Sequence, residues 1–444
     1  MPEPVRIVRG FMKILFTPYS GGAIAHIARL LAIADALKAR GHDILFTTST
    51  SKKVFVERSG HAVHGEGHAD VNLNDEHDQS LSYFANNRDL FMSWLGDEID
   101  AATAFRPDVI VSSPSFFGPT ASLKLGIPQV SVINAQWLPE FKGLLGLSLA
   151  GDGLDHRIMR TLARPLFERK FSAKYLPEIR AFYQRLGIDE RPHDRADVNR
   201  RTAVLVPSVA AFEPIGRSGR NDLHFVGPLF WSGFERVRFE PAELFADLSK
   251  PFVYVSLGGS IYRKQSYLDL IDALAARTDW NVLLTLGPNF PRADFTADRD
   301  NFVIQSLTPG LKACMHADIV VGTGSHGTAM QALWHGKPVV AIPHNIDQAT
   351  IASRLVELGL GLNLNPIGLR DFSDRQRYFD KAVSIPWRDV LDQTARALGD
   401  DALRARARDF STTLRGAGDP PAVAADLVEH YATRSVGPAP AKQR

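Results

Sequence analysis

The chain alternates short apolar runs with glycine- and hydroxyl-rich breaks, and its polar positions fall into two periods. Lys13–Thr17, Ile44–Thr48, Val109–Val111, Pro128–Ile133 and Val204–Pro207 are continuous apolar, largely β-branched stretches, the pattern of strands buried on both faces. Between them, His26–Arg40 places Ile27, Leu30, Leu31, Ala34 and Leu37 at helical spacing, with Gly41 to end the helix. Pro119–Leu125 reads as a helix closed by Gly126, and Phe84, Phe91, Met92 and Trp94 predict a core-facing helix. The same grammar restarts at Pro251–Leu257 and continues with Val282–Leu286, Phe302–Ile304, Ile319–Val321 and Val339–Ile342. A helix follows Ser306–Gly310 through Met315, and helical segments follow at 371–384, 388–399, 401–415 and 422–433. Strand–helix–strand order predicts an α/β protein with parallel sheets and right-handed crossovers. His224–Leu229 and Trp231–Glu240 have the Gly/Pro punctuation and charge of an interdomain crossing. We therefore expect domains at 1–230 and 231–420, with a last helix and tail over 421–444.

Composition narrows this picture modestly. At 444 residues the chain exceeds one ordinary core, and 45% hydrophobic with 23% charged residues describes a water-soluble globular protein. A net charge of +2 makes no case for nucleic acid and leaves an anionic small ligand open. The single cysteine, Cys314, excludes an intramolecular disulfide and suits a reducing cytoplasm. The first residues read as no signal peptide, and no apolar run approaches the ~20 residues of a bilayer span. From Asn134 to Gly187 the chain is aromatic and basic, with Trp137, Phe141, Arg157, Arg160, Arg164, Arg169, Lys170 and Lys174. That is a solvated basic face or, in the sharper reading, a greasy acceptor mouth or a peripheral contact with the inner membrane face. His61, His64, His68 and His77 fall among Gly60, Gly65 and Gly67, so the segment reads as a mobile loop beside an acceptor cleft rather than a metal site.

The chemistry gathers in 318–348. The run Ile319–Val321 is interrupted by Gly322, Gly324 and Gly327, with Thr323, Ser325, His326 and Thr328 between them. The pattern turns helical from Ala329, stops at Gly336, and leads through Lys337–Pro338 into the next strand. A strand, a glycine/hydroxyl loop and a helix start aim backbone N–H groups and a helix dipole at an anion. His344, Asn345, Asp347 and Gln348 follow at the carboxyl end of that strand, where open parallel sheets place ligands. Local physics alone reads this equally as a βαβ unit without a ligand.

In register, Gly324, Gly327, Thr328, Ala332–Leu333, Gly336, Pro338, Pro343 and Asp347–Gln348 resemble the donor-site signature of family 1 (UDP-glycosyltransferase-like) glycosyltransferases. The resemblance implies the GT-B fold: two Rossmann-like, doubly wound parallel-sheet domains facing a cleft, with the last helix packed back on the first domain. It implies inverting transfer from a UDP- or dTDP-sugar to a hydroxyl of an apolar small molecule or lipid, with no separate cofactor and no metal. His26, sixteen residues before His42 of Gly41–His42, takes the place of the catalytic base. Ala25 and Arg29 replace the glycine and proline around it, and Arg29 faces the pocket or solvent. Ser113 stands where relatives carry the aspartate that orients this base. Gly258, Gly259 and Ser260 align with a phosphate-contacting turn, and Leu307 and Thr308 with the turn that meets the base. Thr323 replaces a phosphate-binding histidine, for which His326 compensates from inside the loop. Gln331 replaces a ribose-binding glutamate, while Asp347 and Gln348 align with residues that hold the sugar. A nucleotide-sugar 2-epimerase and a catalytically degenerate binding or auxiliary protein remain open as alternatives.

Overall fold

The computed structural model of the protein describes residues 10–19, 24–68, 88–113, 117–143, 165, 169, 172–173, 176–192, 203–216, 220–233, 237–258, 264–287, 290–296, 299–366 and 384–434. Its first sheet is parallel and seven-stranded: β1 (Lys13–Pro18), β2 (Asp43–Phe46), β3 (Ala62–Val63), β4 (Val109–Ser113), β5 (Gln129–Val132), β6 (Ala203–Val206) and β7 (Leu223–Phe225), in the order β3-β2-β1-β4-β5-β6-β7. Helices α1 (Ala25–Ala39), α2 (Thr50–Arg58), α3 (Arg88–Phe105) and α4 (Phe117–Leu125) connect its strands. The second sheet is parallel and six-stranded: β8 (Phe252–Ser256), β9 (Asn281–Thr285), β10 (Phe302–Gln305), β11 (Ile319–Gly322), β12 (Val339–Ala341) and β13 (Gly361–Asn363), in the order β10-β9-β8-β11-β12-β13. Its helices are α5 (Lys264–Ala275), α6 (Gly310–His316), α7 (His326–Trp334), α8 (Ile346–Glu357), α9 (Trp387–Leu398) and α10 (Asp401–Arg415), and a last helix, α11 (Pro420–Ala432), follows.

Both sheets reverse direction of growth at one place, between β1 and β4 and between β8 and β11. There the strand ends pair as Pro18 with Ser113 and Ser256 with Gly322. Connections leaving those ends must part to opposite faces, which opens a crevice above each sheet. The alternating strand residues are buried on both faces: Ile14 and Phe16 belong to one core with Leu30 and Leu31, whereas Leu15 and Ile110 belong to another with Ala121.

Several elements differ from the sequence reading. β7 occupies part of the expected crossing at His224, because a three-residue edge strand carries too little pattern to recognise. α7 begins at His326, three residues earlier than its apolar spacing, since Ser325 takes the extended N-cap conformation and Gly327 and Thr328 complete the first turn. The polar residues 344–348 start a helix, α8: Asn345 is its N-cap and accepts from Gln348 N at 3.0 Å. Phe91 and Trp94 are buried as a core-facing pair. The expected helix over 371–384, apart from residue 384, and the calls on Phe84, His77 and Arg157–Arg164 lie outside the described residues.

Among the described residues, two passages of the chain between the lobes touch each other. Gly227 has φ +84°, and a Cβ there would lie 2.7 Å from Ala417 Cβ and 2.9 Å from Pro420 Cγ, so only glycine fits. Beyond this point α11 lies on α1, burying Ala424, Ala425, Val428 and Tyr431 in the core of the first sheet. Arg40 Nη1 donates to Asp426 at 2.7 Å and lies 3.1 Å from Glu429. His42 accepts from Met12 N through Nδ1, so its Nε2–H donates to Glu429 at 2.9 Å. Replacing Glu429 by alanine leaves the buried imidazole and part of Arg40 without an acceptor. The expected loss is about 2–3 kcal/mol of unfolding free energy, read as a lower denaturant midpoint at unchanged m-value.

Candidate functional site

The amino ends of α1 and α7 meet across the gap between the lobes. A Cβ built at Gly327 would have one neighbour within 4 Å, Ala25 Cβ at 3.9 Å, so the first turns of the two helices adjoin. The turn before α7 is made by glycines that admit no side chain. At Gly322 a Cβ would meet Ser256 O at 2.9 Å, and Gly324 has φ +77° with Gln348 O at 3.0 Å from the same position. Ser325 makes no side-chain cap; its Oγ donates to Thr328 Oγ1 at 3.1 Å instead. The first N–H groups of α7 are thus left without the usual side-chain acceptor, the condition under which a helix start takes an anion. Thr323, at the end of β11, is buried and neutral.

His26, in the first turn of α1, is half-buried. Its Nδ1 lies 3.5 Å from Ser113 Oγ, and the ring stands edge-on to Tyr19 at 5.7 Å between centroids. Burial first, then the charges of Arg29 and Lys52, push its pKa down to about 3, so the ring is neutral at pH 7. No described carboxylate hydrogen-bonds it, and its hydrogen-bond partner among the described residues is Ser113, fully buried at the end of β4.

Arg29, one turn further along α1, faces the cleft and not solvent: it is 4% exposed. Nη1 donates to Asn134 Oδ1 at 2.8 Å and Nη2 to His326 Nδ1 at 2.9 Å. A guanidinium only donates, so His326 accepts at Nδ1 and carries its hydrogen on Nε2. That Nε2 is buried without a hydrogen-bond acceptor and lies 3.9 Å from Glu213 Oε1. The His326 side chain is therefore held at Nδ1 by the first lobe, which leaves its Nε2–H as the one ring hydrogen still to be donated; its backbone N–H belongs to the helix start. Burial, then Arg29 and His26, hold its pKa well below the usual imidazole range.

Glu213 lies in a segment after β6 that is pinned to the second lobe. Phe212 is fully buried among residues of the second sheet, and Arg354 donates to the carbonyls of Ala211 and Phe212. Burial raises the Glu213 pKa to about 7, against the lowering effects of Ser208, Arg354 and Arg29. The native carboxyl thus keeps its proton where the unfolded one has lost it. This contribution to stability is full below about pH 4.5 and disappears as pH rises through about 7. Glu213→Gln should remove it, so the melting temperature of the variant relative to wild type should rise between pH 5 and pH 8. A difference that stays flat across that range refutes the assignment.

The remaining predicted residues divide into three groups. Gln331 faces the start of α6: its Oε1 would lie 2.7 Å from a Cβ on Gly310. Thr308, in the turn before α6, bonds Thr285 at 2.6 Å and Gln305 at 2.9 Å, while Leu307 is 48% exposed. These form one corner beside α7. At the start of α8, Gln348 is buried and its Oε1 accepts from His344 N at 2.8 Å, so part of its amide already fastens the turn; Asp347 is half-buried beside it. Gly258 follows β8 with φ +64°, while Gly259 and Ser260 lie outside the described residues. Two of the loop histidines are paired with helix carboxylates, His61 with Asp35 at 2.7 Å and His68 with Asp97 at 2.9 Å. Among the described residues no cluster of three or more His, Cys, Asp or Glu could hold a metal, and no helix is long and apolar enough to cross a membrane. Sequence reasoning missed Asn134 and Glu213, which belong to no motif and reach the site only through the packing of the lobes.

No family model matches the chain. An uncharacterized glycosyltransferase of Methanosarcina mazei is 23% identical over 367 residues, covering 80% of this chain and 86% of the relative. Demethyllactenocin mycarosyltransferase of Streptomyces fradiae is 31% identical over 220 residues, 49% of this chain and 43% of that protein. Among solved structures, the glycotransferase of kitacinnamycin superposes with a TM-score of 0.69 at 20% identity, covering 95% of this chain and 99% of the other.

Proposed function

We propose, from the premise that this chain is a family 1-like glycosyltransferase of the GT-B fold, that it moves a sugar with inversion from a UDP- or dTDP-sugar to a hydroxyl of an apolar small molecule. The observation that carries this reading is the meeting of two helix starts, one bearing an imidazole and the other an uncapped row of N–H groups. Sugar transfer needs both. The acceptor oxygen must lose a proton as it attacks the anomeric carbon, and the diphosphate must leave with the electron pair of the bond that breaks.

His26 takes the proton. Its Nδ1–H donates toward Ser113 Oγ, which leaves the Nε2 lone pair for the acceptor hydroxyl. The diphosphate leaves toward the start of α7, where Gly324, Ser325, His326, Gly327 and Thr328 offer backbone donors and the helix dipole. Thr323 and the turn at 258–260 add neutral donors. Fixed donors of this kind take up the developing charge without reorganising, so the step needs neither a cofactor nor a divalent cation. Leu307 and Thr308 form the seat of the base, Gln331 accepts from the ribose, and Asp347 with Gln348 holds the sugar hydroxyls. Similarity to an enzyme named for mycarosyl transfer to demethyllactenocin favours a bulky natural-product acceptor over a lipid. A nucleotide-sugar donor and an aglycone are the partners, and the site of action is the cytoplasm.

The test is incubation with UDP- and dTDP-sugars, with and without apolar aglycones bearing free hydroxyls. Conjugates of inverted anomeric configuration, seen by NMR, support the reading. A free epimer formed without any acceptor would make the chain an epimerase. Tight nucleotide binding with no product across the acceptor panel would make it a binding or auxiliary protein.

A further inference from the structure

The donor loop brings no cation of its own. Between Gly322 and Thr328 the one titratable side chain is His326, and its Nδ1 is occupied by Arg29. The cation at this place comes instead from the opposite lobe. Arg29 is buried between two neutral acceptors, Asn134 at 2.8 Å and His326 at 2.9 Å, and forms no ion pair with any described carboxylate. Its Nε–H and the second hydrogens of Nη1 and Nη2 meet no acceptor among the described residues. Glu213, the nearest acid, lies against His326 and favours its protonated form near neutral pH, so it compensates the guanidinium incompletely. Two helix amino ends add their partial positive charge to the same spot. A desolvated cation with spare donors and only a partial counter-charge is costly to keep, and an anion that enters from the cleft completes its neutralisation.

We infer that Arg29 is a donor-binding residue contributed across the cleft by the acceptor lobe, and that its free N–H groups grip the diphosphate of the nucleotide sugar. The identity of the anion rests on the proposed function; the need for one rests on the geometry alone. A planar fork suits paired phosphate oxygens, and a guanidinium held by Asn134 on one edge keeps its orientation. His326 is then a positioning residue, fastening the start of α7 to the arginine that shares its anion. One consequence concerns the base. The diphosphate cancels the field that Arg29 casts on His26, so the imidazole gains proton affinity once the donor is in place.

The full-length wild-type protein, Arg29→Gln and Arg29→Lys are compared by calorimetry with UDP, dTDP and the corresponding nucleosides. Arg29→Gln should weaken the diphosphate by about 10–100-fold and leave nucleoside binding unchanged, with Arg29→Lys recovering part of the loss. Arg29→Met, which keeps the aliphatic stem without the charge, replaces the glutamine variant if that one fails to fold. Diphosphate affinity unchanged in a folded variant overturns the inference, as does an equal loss for nucleoside and diphosphate, which marks a purely structural role. A wild-type chain that binds neither diphosphate overturns it as well. The two readings separate cleanly. Arg29-dependent diphosphate binding without sugar transfer removes the proposed function and keeps this inference. Sugar transfer with the KM for donor unaltered in Arg29→Gln does the reverse.

Discussion

His26→Ala lowers turnover by about 10²–10⁴-fold while leaving the melting curve near that of wild type. The magnitude is that of removing a general base, the role proposed for the imidazole at the junction of the two helix starts. Folding should survive, because the ring is half-buried and its hydrogen bond to Ser113 is long, at 3.5 Å. The pH profile supplies an independent check. With its pKa near 3, His26 in the free enzyme is already neutral throughout pH 5–8, so it adds no acidic limb to kcat/KM in that range. Turnover near wild type in a folded His26→Ala protein would take the residue out of the mechanism and leave leaving-group stabilisation as the main source of rate.

Gly324→Val destabilises the protein by about 2–5 kcal/mol and abolishes donor binding in whatever fraction remains folded. Two costs add. A β-branched residue at φ +77° is strained wherever it occurs, and here its Cβ would also press on Gln348 O at 3.0 Å and Ala341 Cβ at 3.3 Å. Neither neighbour can yield easily, since Gln348 is tied to Asn345 and His344 and Ala341 lies inside the second sheet. The same displacement would turn the N–H groups of α7 away from the cleft. Chemical denaturation reads the first effect and calorimetry with UDP or dTDP the second. A variant with wild-type midpoint would show that the turn can adopt another conformation.

The strands were legible because burial on both faces writes an unbroken apolar run, as at Lys13–Thr17 and Pro251–Leu257. The glycines of the donor turn were legible for a related reason: close backbone approach and positive φ admit no other residue at Gly324. Boundaries set by capping were harder. His326 reads as loop because the first turn of α7 holds Gly327 and Thr328, residues without helical preference, and its start is marked only by the backbone of Ser325. The electrostatics of the site could not be read at all. Arg29 was visible as an unusual residue at its position, but whether it faced water or the cleft depends on Asn134 and His326, which lie 105 and 297 residues away. Glu213 carries no motif; its raised proton affinity is a product of burial between lobes, which no local pattern encodes.

The pairing of the two interlobe passages at Gly227 has a mechanical outcome. The crossing is one fastening between the lobes and the buried Phe212 segment is another, so the lobes are held at two separate places and not at a single pivot. Two fastenings hold the amino ends of α1 and α7 in one mutual setting more firmly than either would alone. Cutting the chain at Ala417 would loosen the first fastening and leave the second, so the two halves should stay associated at a lower denaturant midpoint.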